Sequence, residues 1–389
     1  MDAADPLARF HDAFDLPQGV IYLDGNSLGP PPKAALARLA DVARREWGQD
    51  LIRSWNVNGW MEAPLRVGAK IARLIGAQPH EVAVADSTSV NLFKVLAAAL
   101  RLRPDRQVIV SDLDSFPTDL YITESLGRRR RIVSADEIPA ALGDDVAVVL
   151  LSHVDYRTGR LHDMAAITEL VHRHGALMVW DLCHTVGALP IELDACEADF
   201  AVGCTYKYLN GGPGSPAFLY AARRHEDATQ PLTGWFGHAD PFAFTPGYAP
   251  AADIGRFLTG TPPLLSFAGL QASLDLWAKV DLAALRAKSL ALTGLFIELT
   301  AGLDLVTPRE ETKRGSQVAL RHPDGYPIVQ ALIDRGVIGD FRAPDIMRFG
   351  FAPLYLSHTD VWDAAAVLTD VLASEAWRDP RYQARAAVT

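Results

Sequence analysis

An acid at the end of one apolar run and a lysine at the end of the next are the residues of this chain best placed to do chemistry. Val179-Trp180-Asp181-Leu182-Cys183-His184 carries the acid, and Thr205-Tyr206-Lys207-Tyr208 carries the amine. A lysine amine condenses with an aldehyde, and a carboxylate holds a pyridine nitrogen in its cationic form. That pair is what a pyridoxal 5′-phosphate (PLP) site requires, because the cationic ring takes up the electron pair left when a substrate Cα loses its proton. Alone, Lys207 reads as a surface lysine and Asp181 as a cap or salt bridge. Their joint placement after apolar runs carries the reading.

A phosphate group needs hydroxyls and free backbone N–H groups at a helix start. Asp86-Ser87-Thr88-Ser89-Val90-Asn91-Leu92 follows an apolar run and opens an apolar helix, so it offers both. The same residues also read as a plain capping box. Phe116 is placed to stack on the pyridine ring, although a lone aromatic there is more often core. Gly212-Pro213-Gly214-Ser215-Pro216-Ala217 matches a dinucleotide fingerprint in spacing only. That fingerprint must open a helix, whereas Pro216 and the strand-like Ala217–Tyr220 follow here, so the glycines are expected to turn the chain after Lys207. His172 and His174 sit two apart, which points their rings to different sides of a helix, and nothing completes a ligand set. No metal is expected, and both histidines read as surface residues.

These residues need a frame. Short apolar runs at Val82–Ala85, Val108–Val110, Val146–Leu151, Leu177–Trp180 and Phe200–Val202 alternate with helical segments. Repetition of strand and helix predicts an α/β fold with a mainly parallel sheet covered on both faces. Ligands then bind beyond the carboxyl ends of the strands, where Thr88, Ser89, Phe116 to Asp119, Ser152 to Asp155, Asp181 to His184 and Thr205 to Lys207 fall. One covering helix is expected to start at Asp163 as N-cap, with Met164, Ile167, Leu170 and Val171 on its buried face. A further helix is expected from Lys33 to Trp47. Beyond Trp235 a loop rich in Pro, Gly and aromatics leads to helical segments from Leu265 to about Ala301. Strands at Leu303–Val306, Val318–Leu320 and Met347–Phe351, with helices at Pro327–Arg335 and Thr359–Ala373, suggest a smaller α+β domain. The expected division is an N-terminal segment 1–45 packing with the small domain, a large domain 46–265 and a small domain 266–389.

A chain of 389 residues exceeds one ordinary core, which fits that division. With 49% hydrophobic and 22% charged residues it cannot be largely disordered. A net charge of −10 repels polyanions, and the run Arg128 to Arg131 has no interleaved aromatics, so it reads as a solvated turn and no nucleic-acid partner is expected. Three cysteines, Cys183, Cys196 and Cys204, make a disulfide framework improbable and fit a reducing cytoplasm. Met1 to Asp15 carries four aspartates and no apolar run, and no stretch reaches the about 18 to 20 apolar residues that span a bilayer. Neither export nor membrane insertion is expected.

Several segments together resemble kynureninase: Asn26-Ser27-Leu28-Gly29, Ser54-Trp55-Asn56 with Gly59-Trp60, Ser89-Val90-Asn91-Leu92, Phe116-Pro117-Thr118-Asp119, Gly203 through Gly214, and Gly234-Trp235-Phe236-Gly237-His238. They occur in order from about residue 20 to 370. The resemblance implies the aspartate-aminotransferase-like fold (PLP fold type I) and a homodimer whose active sites draw on both subunits. It implies Lys207 as the Schiff-base lysine, Asp181 on the pyridine nitrogen and His184 close to the coenzyme. Thr88, Ser89, Tyr206, Trp235 and Thr261 would hold the phosphate, the last two from the partner subunit. Phe116, Pro117, Thr118, Asp119 and Ser152 would line the ring. Arg348 would receive the substrate α-carboxylate, a bidentate task suited to a guanidinium. Asn26, Ser27, Trp60, Gly260 and Thr261 belong to the implied substrate site. Animal members have a histidine where this chain has Trp60 and Ser-Asn where it has Gly260-Thr261; the present residues look like the bacterial subgroup, which prefers L-kynurenine to 3-hydroxykynurenine.

The implied activity is PLP-dependent hydrolysis of L-kynurenine to anthranilate and L-alanine, a step of tryptophan catabolism in the cytoplasm. Lys207 would take the α-proton and Tyr206 would give or relay a proton at Cβ–Cγ cleavage. A class V aminotransferase or a cysteine desulfurase would share the fold, and a silent PLP-binding protein is a third reading. A desulfurase needs a mobile nucleophilic cysteine, yet no cysteine follows residue 204.

Overall fold

The computed structural model of the protein describes residues 2–385; the ends of the expected segments at residue 1 and at 386–389 lie outside them. Its framework is a seven-stranded sheet in the spatial order Val82–Val84, Phe218–Ala221, Phe200–Gly203, Leu177–Asp181, Val146–Ser152, Val108–Asp112, Arg129–Val133. Only Phe218–Ala221 runs against its neighbours, and the remaining pairings are parallel. Central parallel strands are buried on both faces, which is why Val146–Ser152 reads as an unbroken apolar run rather than an alternating one.

The arginine run is not the solvated turn expected. Arg129–Val133 is an edge strand paired only with Val108–Asp112. An edge position exposes side chains and tolerates charge. There Arg131 and Arg129 meet Asp145, and Arg130 meets Glu124. His172 and His174 also depart from expectation, since both are partly buried. His172 Nε2 lies 2.8 Å from Asp199, and His174 Nδ1 lies 3.0 Å from the Leu170 carbonyl. Asp199 is itself buried, so it needs these partners: His225, Arg224 and the Met178 N–H complete its shell.

Helices cover both faces. Thr88–Leu102 is capped by Ser87, and Met164–Arg173 by Asp163, whose Oδ1 accepts the Ala166 N–H. The expected helix from Lys33 is α-helical to Asp41 and then widens into π-type turns over Val42–Asp50. Buried Glu46 sits in that segment and takes hydrogen bonds from Arg38, Arg45 and Trp60 Nε1. Leu264–Trp277 crosses residue 265, where the large domain was expected to end. It packs against Lys33–Asp41.

A second sheet, ordered Asp340–Arg342, Ile346–Gly350, Gln317–Arg321, Asp304–Leu305, is antiparallel throughout. Ile21–Tyr22 pairs in parallel with Val337–Ile338, which ties the N-terminal chain to the C-terminal elements. One apolar core, including Phe14, Trp180, Phe296 and Phe349, continues from the large sheet to this second one. Another, built from Leu92, Leu96, Val148 and Phe200, fills the opposite face of the large sheet. Each such fully buried side chain contributes about 1.5–3 kcal/mol relative to exposure.

Candidate active site

The parallel strands end on one edge of the sheet, and the residues leaving them converge there. A pocket of about 90 Å³ is lined by Thr88, Ser89, Phe116, Thr118, Asp119, Ser152, Tyr156, Asp181, Cys183, His184, Tyr206 and Lys207. It shares Thr88, Ser89 and Tyr206 with an adjoining cavity of about 470 Å³, which Ser215, Thr259, Gly260 and Thr261 help to line. Ten of the residues expected around the coenzyme are thus brought together within one chain, and Pro117 stands among them as the first residue of the helix Pro117–Ser125.

Asp181 ends its strand buried, and its Oδ1 accepts the Cys183 N–H at 2.7 Å. Asp119 lies close to it, and its Oδ2 is buried with no hydrogen-bond partner among the described residues. Burial, and then the charge of Asp181, push the Asp119 carboxyl well above the usual carboxylate range.

Lys207 Nζ lies 3.3 Å from His184 Nε2. Burial, followed by the charges of Lys207, Arg348 and Arg342, lowers the His184 pKa well below its ordinary value. The ring is neutral and can accept from the amine or donate to a coenzyme oxygen, but it adds no charge. The Cys204 thiol beside it, together with burial, holds the Tyr206 hydroxyl above the usual phenol range, so Tyr206 is a proton donor rather than a base.

The phosphate end rests on the turn before Thr88–Leu102. Asp86 adopts φ +49°, and Ser87 Oγ takes only the Val90 N–H, which leaves the N–H groups of Thr88 and Ser89 at the helix start beside the cavity. Lys94, wholly buried, anchors this turn: its Nζ reaches Asp86 Oδ2 at 2.5 Å and the Phe257 carbonyl at 2.6 Å. The buried acids Asp119 and Asp181, an amine at the pocket wall and free N–H groups with hydroxyls where the two cavities meet fit PLP in ring, aldehyde and phosphate.

Two loops fix Lys207. A Cβ at Gly29 would collide with the Lys207 carbonyl, and the Gly29 N–H donates to the Tyr206 carbonyl at 2.8 Å. Gly212 and Gly214 take φ +92° and +70°, which is the tight turn expected after the lysine.

On the second sheet, Arg348 is buried and bound by Asp340 through Nε (2.8 Å) and Nη2. Its Nη2 also meets Ser27 Oγ at 2.8 Å, and Nη1 donates to the Tyr156 carbonyl at 2.6 Å. Asn26 is buried beside it, and its backbone bonds the His184 ring. Trp60 and Trp235 are not brought to this pocket within the chain. They sit in an aromatic cluster around Trp55, with ring centroids 5.9 and 6.2 Å from it.

Sequence reasoning missed Tyr156, Asp340 and Arg342. Tyr156 follows Ser152 to Asp155 and lay one residue past the strand-end segment; its ring meets Phe116 edge-on at 5.2 Å. Asp340 and Arg342 show no local signal, because only strand pairing sets them beside Arg348.

Comparison with known proteins places this geometry. A family model described as the kynureninase C-terminal domain matches residues 285–368. The kynureninases of Pseudomonas fluorescens and of Burkholderia mallei are each 53% identical to this chain, over 100% of it and 98% of the relative. Among solved structures, cysteine desulfurases of Escherichia coli and Thermococcus onnurineus superpose with TM-scores of 0.79 and 0.80 at 19% and 18% identity, covering 95% and 94% of this chain and 98% of each of theirs. A variant of the lyase C-DES, described with glycine covalently linked to its PLP cofactor, superposes at 0.78 with 18% identity over 91% of this chain and 97% of that one. At such identities these structures share the fold.

Proposed function

The chain belongs to the kynureninase family, and from that membership we propose how its residues divide the work of hydrolysing L-kynurenine. The reaction yields anthranilate and L-alanine by Cβ–Cγ cleavage, and its cofactor is PLP. The observation that carries the division of labour is the buried Asp119–Asp181 pair across the pocket from Lys207. Bound PLP supplies an electron sink that makes both the Cα–H and the Cβ–Cγ bonds breakable.

Lys207 tethers the coenzyme and, once its amine is released, takes the proton from the substrate Cα. Asp181 would pair with the pyridine nitrogen and favour its protonated form, with Asp119 buried beside it. Neutral His184 orients the amine without competing for the proton. Thr88, Ser89 and Tyr206 bind the phosphate at the start of Thr88–Leu102. Once water has added to the substrate γ-carbonyl, collapse of that hydrate breaks Cβ–Cγ and releases anthranilate, and Tyr206, held protonated, gives its proton to Cβ. Phe116, Thr118 and Ser152 wall the ring and exclude bulk water, while Arg348 receives the α-carboxylate.

We assign Trp60, Trp235 and Thr261 to the site of a second copy, in a homodimer. Continuous with the aromatic cluster the chain exposes Phe242 and Phe244, with Phe244 79% accessible, an apolar patch that supports this assignment. Light scattering is expected to give a mass of about twice 42.3 kDa; a monomer would overturn this assignment. Trp60 Nε1 is committed to Glu46 at 2.8 Å, so the indole offers no polar partner to a ring hydroxyl, which supports L-kynurenine over 3-hydroxykynurenine. A cytoplasmic setting is supported by the three free thiols, and no helix among the described residues is long and apolar enough to cross a membrane.

The test is incubation of the PLP-loaded protein with L-kynurenine while anthranilate fluorescence is followed. Stoichiometric anthranilate and L-alanine are expected. Sulfide release from L-cysteine without anthranilate would instead favour the desulfurase reading.

A further inference from the structure

We infer that Arg342 is a second carboxylate-binding residue, acting with Arg348 on the α-carboxylate of the amino-acid substrate. The inference rests on the kynurenine-hydrolysing reading of the site. It starts from a count of donors. Arg348 has five N–H groups, and its side fork, Nε with Nη2, is closed on both oxygens of Asp340. The second Nη2 hydrogen goes to Ser27, and one Nη1 hydrogen goes to the Tyr156 carbonyl. One N–H remains, too few for a two-pronged grip on a carboxylate.

Arg342 holds the reserve. Only its Nη2 is engaged, with Asp340 Oδ2 at 2.6 Å and Ser27 Oγ at 3.2 Å. Its Nε is buried with no hydrogen-bond partner among the described residues, a state that costs about 1–3 kcal/mol unless something fills it. The side chain is 37% accessible against 1% for Arg348, so Arg342 is the more open of the two to a ligand. Arg348 donates to the carbonyl of Tyr156, which lines the Lys207 pocket, and Arg342 shares Ser27 and Asp340 with Arg348, so both guanidinium groups stand beside that pocket.

Charge balance points the same way. Two arginines against Asp340 leave one surplus positive charge. Asp24, a nearby buried acid whose Oδ1 has no partner among the described residues, has its pKa pushed up to about 7 by burial and then the charge of Asp340, so at neutral pH it offsets that surplus only in part. A monocarboxylate completes the cluster; an uncharged carboxamide leaves it unbalanced. Asp340 and Ser27 then act as positioning residues that hold the two guanidinium groups side by side.

The test titrates the PLP-loaded wild type, R342Q and R342K with L-alanine and with L-alaninamide, read from the visible spectrum of the bound coenzyme, and measures KM and kcat for L-kynurenine on the same preparations. R342Q is expected to weaken L-alanine binding on the order of tenfold or more while alaninamide stays within about twofold, and to raise KM with little loss of kcat. R342K, which keeps a point charge without the fork, is expected to fall between, and it carries the same comparison if R342Q loses its fold. Unchanged preference for alanine over alaninamide in either variant, or equal loss of both ligands, would overturn the inference. Failure of the wild type to release anthranilate would sink the proposed reaction and leave the alanine-to-alaninamide ratio to judge Arg342 alone.

Discussion

Replacing Lys94 by methionine keeps the volume of a wholly buried side chain but removes its charge, and the consequences can be worked out from two contacts. The ammonium satisfies Asp86 Oδ2 and the Phe257 carbonyl, so Lys94→Met leaves both without their donor. Breaking a fully buried pair costs about 3–5 kcal/mol, but Asp86 is 29% accessible and recovers some hydration, so about 3 kcal/mol is expected. An unfolding entropy of about 2.1 cal/mol/K per residue over 389 residues gives about 0.8 kcal/mol/K, and hence a Tm lower by about 4 °C for one cooperative unit. Because Asp86 holds its left-handed turn directly ahead of Ser87 to Ser89, PLP affinity should fall as well. Circular-dichroism melts of the coenzyme-free protein and equilibrium dialysis against PLP read the two effects. Asp86→Asn should cost less when added to Lys94→Met than alone, since the carboxylate then has no partner to lose. A Lys94→Met melt within about 1 °C of wild type, or strict additivity of the two substitutions, would refute the reasoning.

Tyr206→Phe should lower kcat on the order of a hundredfold or more with the fold intact; full activity would remove Tyr206 from the proton transfers. Asp199→Asn should destabilise the protein at neutral pH, by an amount that shrinks in acid. The Asp199 carboxyl is held below the usual range, despite burial, by hydrogen bonds from His172 and His225, so its stabilisation is complete above the unfolded pKa of about 3.9 and lost as pH falls toward the folded value. A wild-type-to-variant difference in urea unfolding that does not change between pH 7 and pH 3 would contradict this. The wild type should show a higher kcat/KM for L-kynurenine than for 3-hydroxykynurenine, and the reverse order would remove the role given to Trp60.

The parallel sheet was legible because a strand buried on both faces has to be apolar throughout, as Val146–Ser152 and Leu177–Asp181 are. From it followed the loop ends, and hence Asp181, Lys207 and the Thr88–Ser89 turn at one edge. Arg129–Val133 escaped notice because an edge strand of arginines has the composition of a turn, and only its register with Val108–Asp112 reveals it. The upward pKa shift of Asp119 was equally hidden, since it arises from burial and then from an acid 62 positions away in sequence. Asp340 and Arg342 belong to the same class: antiparallel strand pairing sets them beside Arg348, and Ser27 meets them across more than 300 residues of sequence. Composition and spacing record what is apolar and where turns fall, whereas the partners of buried charges are set by tertiary contact.

The central claim is that Lys207 is the amine that holds the coenzyme opposite the Asp119–Asp181 pair. Borohydride reduction of the PLP-loaded enzyme followed by peptide mass mapping tests it most directly. The pyridoxyl mass is expected on the peptide that contains Lys207, with no visible coenzyme band in Lys207→Ala; an adduct on another lysine, or an unchanged band in that variant, would contradict it.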